Sequence, residues 1–117
     1  MAARQRLICA SGALLDGGAG VRFELDTPSG PRPAFVVRFE GLPRAFLNAC
    51  AHVPVELDWL EGAFFDADGA YLICATHGAT YHPVTGVCVA GPCRGASLQK
   101  LPVAEIDGGI WLLDDSG

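Results

Sequence analysis

Two short stretches, CAH at residues 50–52 and CATHG at residues 74–78, each place a histidine two or three positions after a cysteine. This spacing lets one tight loop direct both side chains toward a metal. The two pairs are separated by 21 residues, from His52 to Cys74. Because the chain has only five cysteines and three histidines, chance is a poor explanation for two such pairs. The sequence therefore predicts a metal centre held by Cys50, His52, Cys74 and His77.

Two kinds of metal centre fit these four side chains. One is a structural zinc ion bound tetrahedrally by two cysteines and two histidines. The other is a two-iron, two-sulfide cluster with two cysteines on one iron and two histidines on the other. Zinc loops usually pair cysteine with cysteine or histidine with histidine, whereas each stretch here supplies one of each. The mixed pairs favour the cluster, and zinc remains the alternative.

The rest of the chain predicts an all-β fold. Fifteen glycines and eight prolines are spread along it, which leaves little room for long helices. Short apolar or alternating runs between turn formers predict strands. These runs are residues 21–25, 34–39, 45–48, 63–65, 71–73, 87–89, 98–105 and 110–113, with a first strand within 7–15. Residues 55–60 are expected to form one short helical turn, and Asp66 to Gly69 form a hairpin turn rather than a calcium loop.

Composition limits the function classes. The chain has 117 residues, 50% of them hydrophobic, which suits one compact domain. A formal net charge of -5 argues against nucleic acid as a partner. Residues 71–93 lack charged side chains, but their histidines, glycines and prolines are unsuited to a membrane span. With no clear secretory leader, we expect a cytoplasmic protein whose cysteines stay reduced unless they bind metal.

The acidic residues are unevenly distributed. No lysine or arginine lies between Ala45 and Cys93, while five acids do: Glu56, Asp58, Glu61, Asp66 and Asp68. This middle segment therefore carries the whole net charge. It is either a solvated face or a docking surface for a protein partner with a basic surface.

The motifs resemble those of the Rieske iron–sulfur family. Cys-x-His is followed by Cys-x-x-His-Gly, then by an aromatic residue and Thr85-Gly86, and residues 90–95 resemble the family's proline-containing covering loop. The resemblance implies one [2Fe–2S] cluster, with Cys50 and Cys74 on the inner iron and His52 and His77 on the outer iron. It also implies stacked antiparallel sheets in a single domain, 1–117. A cluster-binding part, about 46–95, would be inserted into a basal part, about 1–45 and 96–117.

Departures from the family pattern indicate the branch. The respiratory members carry an extra cysteine in each cluster loop, and neither stretch here has one. The chain instead resembles soluble Rieske ferredoxins, which carry one electron from a reductase to an oxygenase. The small subunit of assimilatory nitrite reductases is the runner-up, and a zinc-binding interaction module is the alternative from another class. No nucleophile–base pair or phosphate-binding motif is evident, so we expect no enzyme activity of its own. Residues 57–70 suggest an insertion.

Several residues near the motifs bear on the cluster's properties. Two neutral imidazoles in place of thiolates predict a potential of roughly -150 to +300 mV. In the respiratory members a serine and a tyrosine donate hydrogen bonds to cluster sulfurs, and the matching positions here are Ala79 and Tyr81. Cys9, Cys88 and Cys93 have no cluster role; buried thiols are expected, with a Cys88–Cys93 bridge as the alternative. His82 is expected at the surface.

Overall fold

This computed structural model describes residues 5–49, 56–58, 60–74, 78–91 and 95–113 of the chain. Apart from one 3₁₀ turn at Ser11–Ala13, its regular elements within these residues are β-strands. In chain order they are β1 (Gln5–Ala10), β2 (Val21–Thr27), β3 (Gly30–Phe39), β4 (Leu42–Leu47), β5 (Leu72–Ile73), β6 (Thr80–Tyr81), β7 (Cys88–Ala90), β8 (Lys100–Leu101), β9 (Val103–Ile106) and β10 (Gly109–Leu113). The predicted all-β fold is confirmed.

The strands form three antiparallel sheets. One has the order β1-β10-β9, the second β2-β3-β4-β8, and the third β5-β6-β7. The first sheet joins the two ends of the chain, and the third is made from the stretch around Cys74. The second sheet contains strands from both sides of that stretch.

The four-stranded sheet is buried on both faces along the middle of β3 and the end of β4. In β3, four consecutive residues, 34–37, are buried, whereas a sheet with one wet face would show alternation. Phe35 and Val37 belong to a core shared with the β5-β6-β7 sheet, and Ala34 and Val36 to a core shared with the β1-β10-β9 sheet. Phe35 stacks on Phe64, with ring centroids 4.0 Å apart. The four-stranded sheet is therefore the central layer.

The start of β3 differs from the prediction. Prolines between residues 28 and 33 predict a break, yet β3 begins at Gly30 and pairs with β2 through Pro31 and Pro33. The strand tolerates these prolines because its pairing with β4 begins only at Ala34. At Pro31 and Pro33 the only paired strand is β2, and on the other side the Pro33 carbonyl accepts the Asn48 N–H at 2.9 Å, so the missing N–H groups can lie on the side without a paired strand.

Three further predictions need correction. The strand at 98–105 is two strands, because Pro102 interrupts it and β8 and β9 pair in different sheets. Residues 63–65 form only one bridge, from Phe65 to Leu72. The helical turn at 55–60 is wrong for the described residues 56–58 and 60, which form no helix. The backbone N–H of Leu57 there bonds to a side chain rather than to a helical carbonyl.

Other predictions are confirmed. The first strand, β1, covers residues 5–10 and so overlaps the beginning of the predicted run, residues 7–15. The Asp66 turn is a hairpin connection, since Asp66 Oδ1 accepts the N–H of Ala70 at 3.0 Å and its carbonyl accepts the N–H of Gly69. No helix long and apolar enough to cross a membrane occurs in the described part of the chain.

Candidate metal centre

The four predicted ligands are only partly within the described residues. Cys50, His52 and His77 lie outside them, and Cys74 lies inside, directly after β5, with no exposed surface. The described residues contain no group of three or more metal-binding side chains, as expected when three of the four ligands are excluded. The ligand set therefore stays a prediction, and the structure bears on it through the residues that flank it.

Backbone hydrogen bonds of one hairpin join the residues on either side of the second ligand segment, residues 75–77. Cys74 donates its N–H to the Ala79 carbonyl at 2.8 Å, and Gly78 donates its N–H to the Cys74 carbonyl at 2.8 Å. Gly78 has φ +73°, a conformation that glycine adopts without strain. Residues 74 and 78, which bracket the segment containing His77, are thus held together by the backbone.

The first ligand segment, residues 50–55, is closed by side chains instead. Asn48 precedes it, and its Oδ1 accepts the N–H of Leu57, which follows it, at 2.8 Å. Asn48 Nδ2 also donates to Asp58 Oδ1 at 3.0 Å. Asp58 Oδ2 in turn accepts the Gly62 N–H at 3.0 Å. Both ends of the segment carrying Cys50 and His52 are thereby fixed to each other.

A cation from the central sheet completes this arrangement. Arg22 on β2 places its Nε 3.6 Å from Asp58 Oδ2 and donates a hydrogen bond from Nη2 to Glu56. The hydrogen bond to Glu56, opposed in part by burial, raises the pKa of Arg22. The fixed positive charge offsets that of the Asp58 carboxylate, whose side chain has no exposed surface.

A third piece of chain lies against the residues that directly follow the second ligand segment. Gly91 follows β7, and a Cβ built on it would lie 2.9 Å from the Gly78 carbonyl oxygen and 3.0 Å from Ala79 Cα. Residues 92–94, predicted to cover the cluster, follow immediately and lie outside the described residues. Only glycine permits such a close approach of the two backbones.

The flanks of all three segments meet in one core. Leu57, Cys74, Ala79, Tyr81 and Cys88 are buried in the same apolar cluster. A buried cysteine alone is usually an inert apolar side chain. Here, however, Cys74 closes the hairpin that carries His77, and Leu57 adjoins the segment that carries the other predicted pair. The predicted donor set and the burial of Cys74 fit a cluster whose cysteine side is enclosed by protein.

The remaining cysteines differ from one another. Cys88 is disulfide-bonded, so the expectation of a free buried thiol there is wrong. Its partner lies outside the described residues, and a bridge to Cys93 stays a prediction. Cys9 is free and partly buried, and burial raises the pKa of its thiol although Arg38 opposes this. Its thiol therefore stays protonated at neutral pH, as expected for a structural cysteine.

The acidic middle segment is not a uniform docking face. Asp58 is buried within the Asn48 arrangement, and Glu56 is paired with Arg22. Asp66 is occupied in its hairpin turn. Glu61 and Asp68 are exposed. The sequence count overstated the outward charge because it could not show that a β2 arginine reaches into this segment.

The structure also describes three other residues for which the sequence made predictions, His82, Ala79 and Tyr81. His82 is only partly exposed, its Nδ1 accepts the N–H of Val84 at 3.1 Å, and its ring meets Tyr71 edge to face. Ala79 and Tyr81 are both fully buried. The sequence did not predict that Asn48, Arg22 and Gly91 help to shape this site. It offers little signal for them beyond the position of Asn48 two residues before Cys50.

Comparisons with known proteins give a family match and several solved structures with a similar fold. The family model described as Rieske [2Fe-2S] domain matches residues 7–105. Among curated proteins, none is significantly similar to the chain in sequence. The fold is similar to that of the Sphingomonas yanoikuyae B1 ferredoxin, with TM-score 0.74, 23% identity, and coverage of 96% of this chain and 99% of that one.

Two further solved structures share the fold. The ferredoxin of carbazole 1,9a-dioxygenase from Nocardioides aromaticivorans IC177 has TM-score 0.70 and 22% identity, covering 94% of this chain and 96% of that one. A chain in the complex of reduced oxygenase and oxidized ferredoxin in carbazole 1,9a-dioxygenase has TM-score 0.71 and 20% identity, with coverage of 93% and 92%. At these identities the likeness shows the fold.

Proposed function

Because this chain belongs to the Rieske [2Fe-2S] domain family, we propose that it is a one-electron carrier that takes electrons from a reductase and delivers them to a terminal oxygenase. The observation that carries the proposal is the family match across both cysteine–histidine motifs, joined to the enclosed position of Cys74. Solved complexes of a ferredoxin with its oxygenase in this fold support the oxygenase as the acceptor.

We propose Cys50, His52, Cys74 and His77 as the ligands of one cluster. When bound, the cluster supplies a redox centre that gains and loses a single electron. The protein's part is to hold the ligands in place and to keep water from the cysteine side, which the burial of Cys74 supports. The β5-β6-β7 sheet and its neighbouring segments would form the cluster-binding part, about 46–95, and the two other sheets the basal part.

Docking of a partner would use side chains next to the second ligand segment. Val89 on β7 is 42% exposed and lies two residues before Gly91, which contacts Gly78. A small apolar contact of this kind suits a transient redox complex. The exposed carboxylates of Glu61 and Asp68 would add steering toward a basic surface on the partner.

The chain would have no catalytic site of its own. Two open, shallow grooves of the described residues, of about 320 and 460 Å³, lie on the β1-β10-β9 sheet and beside β4, β8 and β9. Their linings, at residues 106–109 and 111 with Leu7 and Ala10, and at residues 42–45 with 100–105, contain no nucleophile paired with a base. We also propose a cytoplasmic location, where the redox partners of such carriers operate.

The test is to purify the protein anaerobically and record its visible absorption, its iron and sulfide content and its electron paramagnetic resonance spectrum. Two irons and two sulfides per chain, with absorption that bleaches on addition of dithionite, are expected. Re-oxidation of the reduced protein by a terminal oxygenase with its substrate should follow. A colourless protein that holds one zinc ion would overturn the proposal.

A further inference from the structure

Two buried polar side chains stand out beside the first ligand segment. Asn48 is 1% exposed and Asp58 7% exposed, and the Asp58 side chain is fully enclosed. They are the only polar or charged residues among the buried part of the described chain. Burying such groups is unfavourable unless every hydrogen-bonding atom is satisfied, so their presence in a core calls for a reason.

Their hydrogen bonds form one connected set. Asn48 uses Oδ1 as an acceptor for Leu57 N–H and Nδ2 as a donor to Asp58 Oδ1. Asp58 uses its other oxygen for the N–H of Gly62. Gly62 is itself tied to the start of β2, because its carbonyl accepts the Gly20 N–H at 2.8 Å. The network therefore anchors both flanks of residues 50–55 to the central sheet.

An apolar pair could close the same segment without desolvating a carboxylate. What the polar pair adds is direction, since each hydrogen bond fixes the angle as well as the distance between the two flanks. The segment between the flanks contains Cys50 and His52, two of the four proposed ligands. A fixed separation of the flanks reduces the conformations that this segment can adopt before the ligands bind.

We propose that Asn48 and Asp58 are positioning residues that set the geometry of the first ligand segment for cluster binding. This inference rests on the proposed function, because it takes Cys50 and His52 as cluster ligands. Neither residue touches the cluster in this account. Their effect is exerted through the backbone at Leu57 and at Asn48 itself.

The network offers a sharp test because its two side chains can be exchanged. In Asp58→Asn, an amide cannot accept from both Asn48 and Gly62, so one hydrogen bond is lost. In Asn48→Asp, two carboxylate oxygens face each other. In the double variant, Asp at 48 accepts from Leu57 and from the amide at 58, and the amide oxygen at 58 accepts from Gly62. All three hydrogen bonds are restored, and the pair again carries one negative charge, at position 48 instead of beside Arg22.

The experiment measures the rate of cluster loss in the presence of a chelator, together with visible circular dichroism and midpoint potential. Each single variant should lose its cluster about tenfold faster than the wild type, and the double variant within about threefold of it. Circular dichroism bands of the holoprotein should shift in the single variants and return in the double. Glu24→Gln is the control, since it removes an exposed carboxylate on β2 that belongs neither to the network nor to the proposed docking residues.

The outcomes separate the two proposals. A wild-type protein without a [2Fe–2S] spectrum would overturn the proposed function and this inference with it. A wild-type protein with that spectrum, and single variants that behave like Glu24→Gln, would overturn this inference alone. Spectra that stay unchanged while only thermal stability falls would show a structural role and also overturn it. If the single variants fail to fold, a double variant with wild-type spectra supports the inference, and one that also fails overturns it.

Discussion

Gly91 lies directly against Gly78, so the chain after β7 packs on the hairpin that carries the second ligand segment. The nearest approach, between a Cβ built on Gly91 and the Gly78 carbonyl oxygen, would be 2.9 Å. Gly91 also has φ +90°, outside the region that other residues favour. Both the close contact and the positive φ therefore favour glycine at this position.

Gly91→Ala should destabilise the protein and speed cluster loss, because the contacting atoms belong to the backbone and cannot move aside cheaply. Overpacking of this kind costs about 1–3 kcal/mol beyond the backbone strain. Gly95→Ala is the control, since Gly95 has a similar φ of +86° but open space around its Cβ. Thermal unfolding of the two variants gives the difference. Equal losses of stability would mean that the contact with Gly78 has no effect.

Cys74 and Cys9 both lie in the described chain, and they should respond oppositely to substitution. Cys74→Ala is expected to abolish or strongly reduce bound iron, because it removes a proposed ligand at a fully enclosed site. Cys9→Ala should keep the full iron content, since that thiol only packs between strands. Iron and sulfide analysis after anaerobic purification decides the matter. Full cluster content in Cys74→Ala would remove Cys74 from the ligand set.

Particular residues show which parts of the fold can be predicted from the sequence. The alternating run at β2 and the turn at Asp66 were predictable because each depends on local pattern and turn chemistry. The start of β3 was not, because the tolerance of Pro31 and Pro33 depends on where the neighbouring strand ends. The division of the predicted strand 98–105 at Pro102 depends on β8 and β9 pairing in different sheets.

The candidate site divides in the same way. The cysteine–histidine motifs are visible in the sequence because metal ligation fixes both residue type and spacing. The contact of Arg22 with Asp58 joins residues 36 positions apart, and no spacing rule connects them. The closure of the first ligand segment by Asn48 is a property of packing, and it changes the interpretation of Asp58 from a docking charge to a buried acceptor.

Salt should slow electron transfer to the oxygenase if the exposed acids steer docking. Exposed charges are screened beyond about 8 Å at physiological ionic strength, so the effect is on association rate. Glu61→Gln with Asp68→Asn should lower the low-salt rate roughly twofold to tenfold and flatten its salt dependence. Glu24→Gln with Asp107→Asn removes the same charge from exposed positions on the other sheets and serves as control. Stopped-flow rates that match in both pairs would leave Glu61 and Asp68 as a solvated face.

Acid should weaken the link between β3 and β9. Arg38 holds Glu105 through two hydrogen bonds of 2.9 Å, which lowers the pKa of Glu105 from 4.5 to about 2. A lowered pKa in the folded protein gives stability above pH 4.5 that disappears as the pH falls toward 2.

Glu105→Gln removes this contribution. Its melting temperature should therefore lie below that of the wild type at neutral pH, and the gap should close between pH 4.5 and 2. Thermal unfolding followed by far-ultraviolet circular dichroism across this range measures the gap. Glu24→Gln is the control, since it removes a carboxylate at an exposed position of β2. A gap for Glu105→Gln that stays constant down to pH 2 would contradict the lowered pKa.

Tyr81 and Ala79 lie where hydrogen bonds to a cluster sulfur would raise the midpoint potential. Both follow the second ligand segment, both are fully buried, and both share a core with Cys74. Of the two, Tyr81 carries the hydroxyl that would donate such a bond. Hydrogen bonds to the sulfurs stabilise the more negative reduced state. Ala79 supplies no hydroxyl, so the potential should lie below that of the respiratory members.

Tyr81→Phe should lower the midpoint potential by about 40 mV, since a hydrogen bond of about 1 kcal/mol corresponds to that shift for one electron. Ala79→Ser should raise it, because a hydroxyl is introduced beside the same segment. Tyr71→Phe is the control: Tyr71 is 40% exposed, and its ring lies edge to face against His82. Protein-film voltammetry at one pH well below the ionisation of the histidine ligands measures all three. If Tyr81→Phe keeps its cluster and matches Tyr71→Phe, the Tyr81 hydroxyl does not reach a sulfur and the ring serves only in packing.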